Sequence, residues 1–130
     1  MKKFKIGSKK VGLDFPSYFI ADIAANHDGD LNKAIDLIYS CAEAGANAAK
    51  FQHFSAETIV SDIGFRNLNR KYLSHQKKWK KSVFEVYKDA SINLEWTSKL
   101  KKACKKAKID FLSTPYSYYL ADHLFKYIPA

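Results

Sequence analysis

The chain has 130 residues, with 22 Lys plus Arg against 13 Asp plus Glu, a formal charge of +9. Hydrophobic residues make up 47% and aromatics 15%, too much apolar material for a disordered chain and enough for one domain with a core of its own. The length excludes a complete (β/α)8 barrel, which needs roughly 200 residues or more.

Residues 1–17 read as a basic leader with turns at Gly7, Gly12 and Pro16. No apolar stretch of about seven residues follows its lysines, so it does not read as a secretory signal. The apolar run from Tyr18 to Ala25 falls far short of the ~20 residues of a membrane span, and Asp22 interrupts it; no membrane partner is expected. Tyr18 to Ala24 has the length and composition of a strand. Asn26-His-Asp-Gly-Asp30 is a turn cluster in which Asp30 is placed to cap a helix. Leu31, Ala34, Ile35, Ile38, Cys41 and Ala42 then recur at helical spacing, and Gly45 is placed to end that helix. Ala48 to Gln52 is a second strand, 30 residues after Tyr18, which is the size of a βαβ unit.

Residues 53–92 form a long polar and aromatic excursion with a short helix expected near Val83 to Lys88. Leu100, Ala103, Cys104 and Ala107 mark another amphipathic helix. Ile109 to Ser113 is a third strand, ended by Thr114-Pro115, and Tyr119 to Tyr127 reads as a last helix. Alternating strands and helices predict an α/β fold with a parallel sheet. Cys41 and Cys104 stand in helical segments without metal-ligand or CxxC spacing, which suits a reducing cytoplasm.

In parallel sheets the chemistry gathers where strands end. The first strand delivers Asp22 and then Asn26, His27 and Asp28. The second delivers Lys50 and Gln52, and the third Ser113 and Thr114. Side chains alternate along a strand, so Lys50 and Gln52 share one face while Ala49 and Phe51 take the other. An amine in a central strand calls for an anion. Lys50 is therefore a candidate for binding phosphate or carboxylate, or for a Schiff base, against the alternative that it reaches solvent. Asp22 suits acid–base work or a substrate hydroxyl, or else a structural carboxylate. Asp28 and Asp30 suit a turn and a cap better than a metal, and His27 suits a hydrogen-bonded turn better than a ligand. Thr114 offers a hydroxyl to phosphate or is an ordinary turn residue.

Six of the ten residues from Lys99 to Lys108 are lysine, as on the wet side of a surface helix. Lys77, Lys78, Lys80 and Lys81 flank Trp79, a pattern that would suit single-stranded nucleic acid. No nucleic-acid fold signature accompanies it.

Three stretches carry a family resemblance. Phe19-Ile-Ala-Asp-Ile-Ala-Ala-Asn-His-Asp-Gly-Asp30 resembles the opening strand and turn of the N-acetylneuraminate (sialic acid) synthase family. Glu43-Ala-Gly-Ala-Asn-Ala-Ala-Lys-Phe-Gln52 and Asp110-Phe-Leu-Ser-Thr-Pro-Tyr116 are similar to its second and third strands. Phe4-Lys-Ile-Gly7 resembles its leader, and the segment from Leu73 to Ala90 the long second loop of one bacterial branch. The resemblance implies a (β/α)8 TIM barrel of which this chain holds roughly the first three βα units, at residues 18–130. It implies condensation of phosphoenolpyruvate with an N-acetylhexosamine such as N-acetylmannosamine, and homodimers of the full-length enzyme.

By the same resemblance Lys50 and Thr114 would hold phosphoenolpyruvate. Asp22 would act at the reacting centre, where the family commonly carries a glutamate. Asn26, His27, Gln52 and Ser113 would stand in or just behind the site. A divalent metal, Mn2+ or Mg2+, would be held by residues outside this chain, and the family's C-terminal antifreeze-like domain is not in it. We thus expect the N-terminal part of a synthase. The alternatives are a Schiff-base aldolase barrel acting through Lys50 and a basic nucleic-acid-binding module.

Overall fold

The computed structural model describes residues 3–68 and 75–130; Leu73 and Ser74 of the loop segment lie outside the described residues. The leader is ordered as a hairpin of β1 (Phe4–Ile6) and β2 (Lys9–Val11), paired antiparallel from Phe4↔Val11 to Ile6↔Lys9. Three-residue strands are too short to show alternation, which is why the sequence shows only turns there. Gly7 makes the hairpin turn at φ +56°, and a Cβ on it would stand 3.1 Å from the Asp110 carboxylate. Asp110 also accepts from the Tyr18 hydroxyl at 2.6 Å. Burial and then this carboxylate push the phenol pKa far above its ordinary range. The hairpin is thereby held against the amino-terminal end of the sheet.

That sheet is three-stranded and parallel: β3 (Ile20–Ala24), β4 (Ala48–His53) and β5 (Asp110–Pro115), in the order β3-β4-β5. Helix α1 (Leu31–Glu43) links the first two strands. Asp30 caps it as expected, accepting from the amides of Asn32 and Lys33, and Gly45 follows its end at φ +84°. The excursion between β4 and β5 carries α2 (Ala56–Ile59), α3 (Asp62–Asn67), a single 3-10 turn at His75–Lys78, α4 (Val83–Ala90) and α5 (Trp96–Lys106). Helix α4 opens on a reciprocal cap, with the Glu85 amide donating to Ser82 Oγ and the Ser82 amide to Glu85 Oε2. Helix α6 (Tyr118–Phe125) follows β5. Among the described residues no helix is long and apolar enough to cross a membrane.

Helices α1 and α5 pack on each other and on one face of the sheet, and α6 packs on β5. Ile38, Phe51, Leu100, Cys104, Phe111 and Leu124 fill the space between. The lysines of α5 point outward while Leu100, Ala103 and Cys104 are buried, and burial pushes the Cys104 thiol up to about 12. Strand β5 runs further than its sequence suggests, because pairing continues through Gln52↔Thr114 and His53↔Pro115. Proline is tolerated there since, among the described residues, β5 is paired on one side only.

Candidate active site

The face of the sheet opposite α1 and α5 carries the candidate chemistry in two rows. Cross-strand register sets Asp22 beside Lys50 and Lys50 beside Leu112; one step further, Gln52 stands beside Thr114. Lys50 Nζ lies 3.5 Å from Asp22 Oδ1, with the two side chains 33% and 54% exposed. The anion that a lysine in the central strand calls for is thus Asp22, on the neighbouring strand. An ion pair this exposed is worth about 1 kcal/mol or less, so Lys50 can be recruited by a more highly charged ligand.

Strand β3 ends irregularly, its pairing shifting between Asp22 and Ala24. Ala24 then takes φ +54°, a left-handed conformation that costs about 1–2 kcal/mol without glycine. This bend turns the chain sharply into the Asn26–Asp30 turn and leaves Asn26 exposed at the mouth of the sheet. His27 goes the other way. It is fully buried, its Nδ1 accepts from the Gly29 amide at 3.1 Å, and its ring meets Trp96 edge-on at 5.8 Å. Burial lowers its pKa. Asp28 pairs with Lys33.

Ser113 also faces away from the candidate rows. It shares parity with Phe111, and its Oγ lies 2.6 Å from His53 Nδ1 on the helix-covered side. Asp22, Lys50, Gln52 and Thr114 are therefore brought together with Asn26 at their rim. His27 and Ser113 stand behind the sheet and do not share that face.

The sequence reading missed what Ser113 belongs to. His53 Nε2 lies 3.1 Å from Thr97 Oγ1, His123 Nε2 lies 3.1 Å from the same oxygen, and the Thr97 hydroxyl donates to the Leu94 carbonyl at 2.9 Å. With its one proton spent there, Thr97 can only accept from both imidazoles. His53 therefore carries its proton on Nε2 and accepts from Ser113 on Nδ1. This chain of bonds ties β4, β5, α5 and α6 together. The sequence signal was His53 sharing parity with buried Phe51.

Burial, then His123 and His27, lower the His53 pKa from 6.5 to about 4. A depressed histidine pKa stabilises the fold fully above the unfolded value and loses that contribution as pH falls toward the folded one. Stability is expected to drop by about 3 kcal/mol between pH 6.5 and 4 from this group. Urea unfolding midpoints at several pH values measure it, and the slope should flatten in His53→Gln. An unchanged slope in that variant would assign the acid sensitivity elsewhere.

Past Gln52, the carboxyl ends of β3 and β4 meet α4 and Trp79 around a pocket of about 290 Å3. Phe54, Trp79, Val86 and Tyr87 wall it, and Asn26 and Gln52 stand at its edge. Phe54 and Trp79 lie 5.8 and 6.4 Å, centroid to centroid, from Tyr87. The Trp79 indole thus belongs to a pocket wall, and Lys81 pairs with Asp89 at 2.5 Å. Among the described residues no group of three or more His, Cys, Asp or Glu side chains is placed to hold a metal ion.

Residues 37–129 match the NeuB family. The chain is 36% identical, over 88% of its length, to the spore coat polysaccharide biosynthesis protein SpsE of Bacillus subtilis (strain 168). It is 30% identical, over 91% of its length, to an N,N'-diacetyllegionaminic acid synthase of Legionella pneumophila. It spans 29% and 32% of those two relatives. Among solved structures it is similar to the N-acetylneuraminic acid (sialic acid) synthetase of Leptospira borgpetersenii in complex with citrate. That likeness has a TM-score of 0.74 and 26% identity, covering 96% of this chain and 38% of that one.

Proposed function

This chain belongs to the NeuB family, and on that premise we propose that it builds the first three βα units of a (β/α)8 barrel that condenses phosphoenolpyruvate with an N-acetylated hexosamine. Among the described residues the three-stranded sheet has a free edge on both β3 and β5, and the chain spans about a third of its relatives. Both facts favour a barrel whose remaining strands come from further polypeptide. The synthase names of the Legionella and Leptospira relatives support an acylated amino sugar as acceptor, and N-acetylmannosamine is the simplest of that class.

In the proposed reaction the C2–C3 π electrons of phosphoenolpyruvate form a bond to the aldehyde carbon, and the aldehyde oxygen takes up a proton. Water adds to C2 and loses a proton, and phosphate then leaves with cleavage of its C–O bond. Lys50 would neutralise the phosphate or carboxylate of phosphoenolpyruvate, and Thr114 would donate its hydroxyl to the same anion. Asp22, beside Lys50, would accept a proton or hold a hydroxyl at the reacting centre. Gln52 and Asn26 would meet the sugar. A divalent ion would draw its ligands from the units that complete the barrel.

The observation that carries this reading is the Asp22–Lys50 pair on an open sheet face, one row below Gln52 and Thr114. Asp22→Asn in the completed barrel is expected to lower kcat by about 100-fold, within the span of acid–base catalysis. It should leave the KM for phosphoenolpyruvate the same or lower, because it frees Lys50 for the ligand. A raised KM at unchanged kcat would reverse the role assigned to Asp22. Borohydride trapping with pyruvate separates the aldolase alternative, since only a Schiff base would label Lys50.

A further inference from the structure

We propose that His53 is a positioning residue for Thr114: from behind the sheet it fixes the end of β5, and thereby the place at which Thr114 meets the anion held at Lys50. This rests on the condensation proposed above, in which Thr114 donates its hydroxyl to phosphoenolpyruvate. Thr114 is exposed, so its place is set by its backbone rather than by packing around its side chain. That backbone lies one residue before the end of β5 at Pro115. Among the described residues the strand is paired on one side only, and segments with few contacts open locally at little cost.

Beyond the regular ladder, two bonds fasten that end, and both land on His53. The Ser113 hydroxyl donates to Nδ1 of its ring at 2.6 Å, and the Tyr116 amide donates to its carbonyl at 3.0 Å. The two bonds bracket Thr114. Ser113 and Thr114 are neighbours that face opposite sides of the sheet, so holding Ser113 sets the direction of Thr114. His53 can serve as the fixed point because it is fully buried and its ring is held at both nitrogens, Nε2 donating to Thr97 Oγ1 on α5 at 3.1 Å. Thr97 is fixed in turn by the Leu94 carbonyl and by His123 of α6. An apolar side chain on the same face as Phe51 would cost less desolvation than an imidazole. What the paired imidazole adds is direction, since a fully satisfied polar network specifies one arrangement.

The test is a double-mutant cycle on the completed barrel, read as kcat and KM for phosphoenolpyruvate, with calorimetric binding of phosphoenolpyruvate and urea midpoints alongside. Ser113→Ala removes the hydroxyl that reaches His53 and leaves the buried ring in place. It should raise KM by about 10-fold, since a shift of about 1 Å in a positioning group can cost up to about 100-fold. Its kcat should stay within about 2-fold of the parent, because the contact it disturbs is made to the anion before and during bond formation alike. His53→Gln, whose amide nitrogen stands in for Nε2 but not for Nδ1, should do the same. Thr114→Val should raise KM at least as much, and adding Ser113→Ala to it should raise KM no further, because the position of an absent hydroxyl has no effect. Lowered urea midpoints with KM unchanged in Ser113→Ala and His53→Gln would overturn the positioning role and leave Thr114 in the anion site. So would a loss in Ser113→Ala that adds in full to that of Thr114→Val. An unchanged KM in Thr114→Val would instead remove Thr114 from the anion site, and the positioning role with it.

Discussion

Lys50→Ala is expected to raise the KM for phosphoenolpyruvate by about 100-fold, close to the 2–5 kcal/mol that loss of one member of a buried charge pair costs. Lys50 stands in the central strand of the sheet, with Asp22 3.5 Å away and 33% of its side chain exposed. In the free protein, its removal leaves a half-exposed carboxylate that water can solvate, so the fold should lose about 1 kcal/mol or less. With the ligand bound, the same removal leaves a multiply charged anion facing Asp22 with no cation between them. The variant should therefore unfold at nearly the parent urea concentration while losing its affinity for phosphoenolpyruvate. Steady-state kinetics alongside the unfolding midpoint reads both effects. An unchanged KM would remove Lys50 from the anion site.

Phe51→Ala, one residue along, should do the reverse. Phe51 is fully buried and lies 5.9 Å, centroid to centroid, from Phe111 across the strand pair. It sits on the face covered by α1 and α5. Truncating such a ring removes its burial and leaves a cavity in a layer held by three elements, at a cost of about 3–5 kcal/mol. Against a total stability of about 5–15 kcal/mol for a domain, this would take a large share. The urea midpoint should fall by that amount. A loss under about 1 kcal/mol would mean that the helices do not seal the central strand.

The contrast between Lys50 and Phe51 was legible in the sequence, since alternation with a period of two assigns neighbours in a strand to opposite faces whatever the partner strands are. The Asp30 cap, the Gly45 stop and the stripe Leu100, Ala103, Cys104 were legible for the same local reason. The same rule, applied to the third strand, would have set Ser113 with Phe111 and away from Thr114. His27 was harder to place, because its direction follows from the left-handed bend at Ala24, which no residue type there announces. The hairpin of residues 4–11 was invisible, since its strands are three residues long and its fixed point, Asp110, is far away in the chain.

The amino-acid order alone determined where β3, β4, α1, α4 and α5 form and which side chains they turn to the core, because those choices depend on contacts within a few residues. The tertiary structure decided the rest. The approach of Asp22 to Lys50 depends on the register between β3 and β4, which pairs positions 28 residues apart. The bonds from Thr97 to His53 and to His123 join positions 44 and 26 residues apart. The aromatic pocket exists only because α4 folds back over the ends of two strands that precede it. Each of these depends on how separate elements settle against a shared core, a sum over distant contacts that no local window of sequence contains.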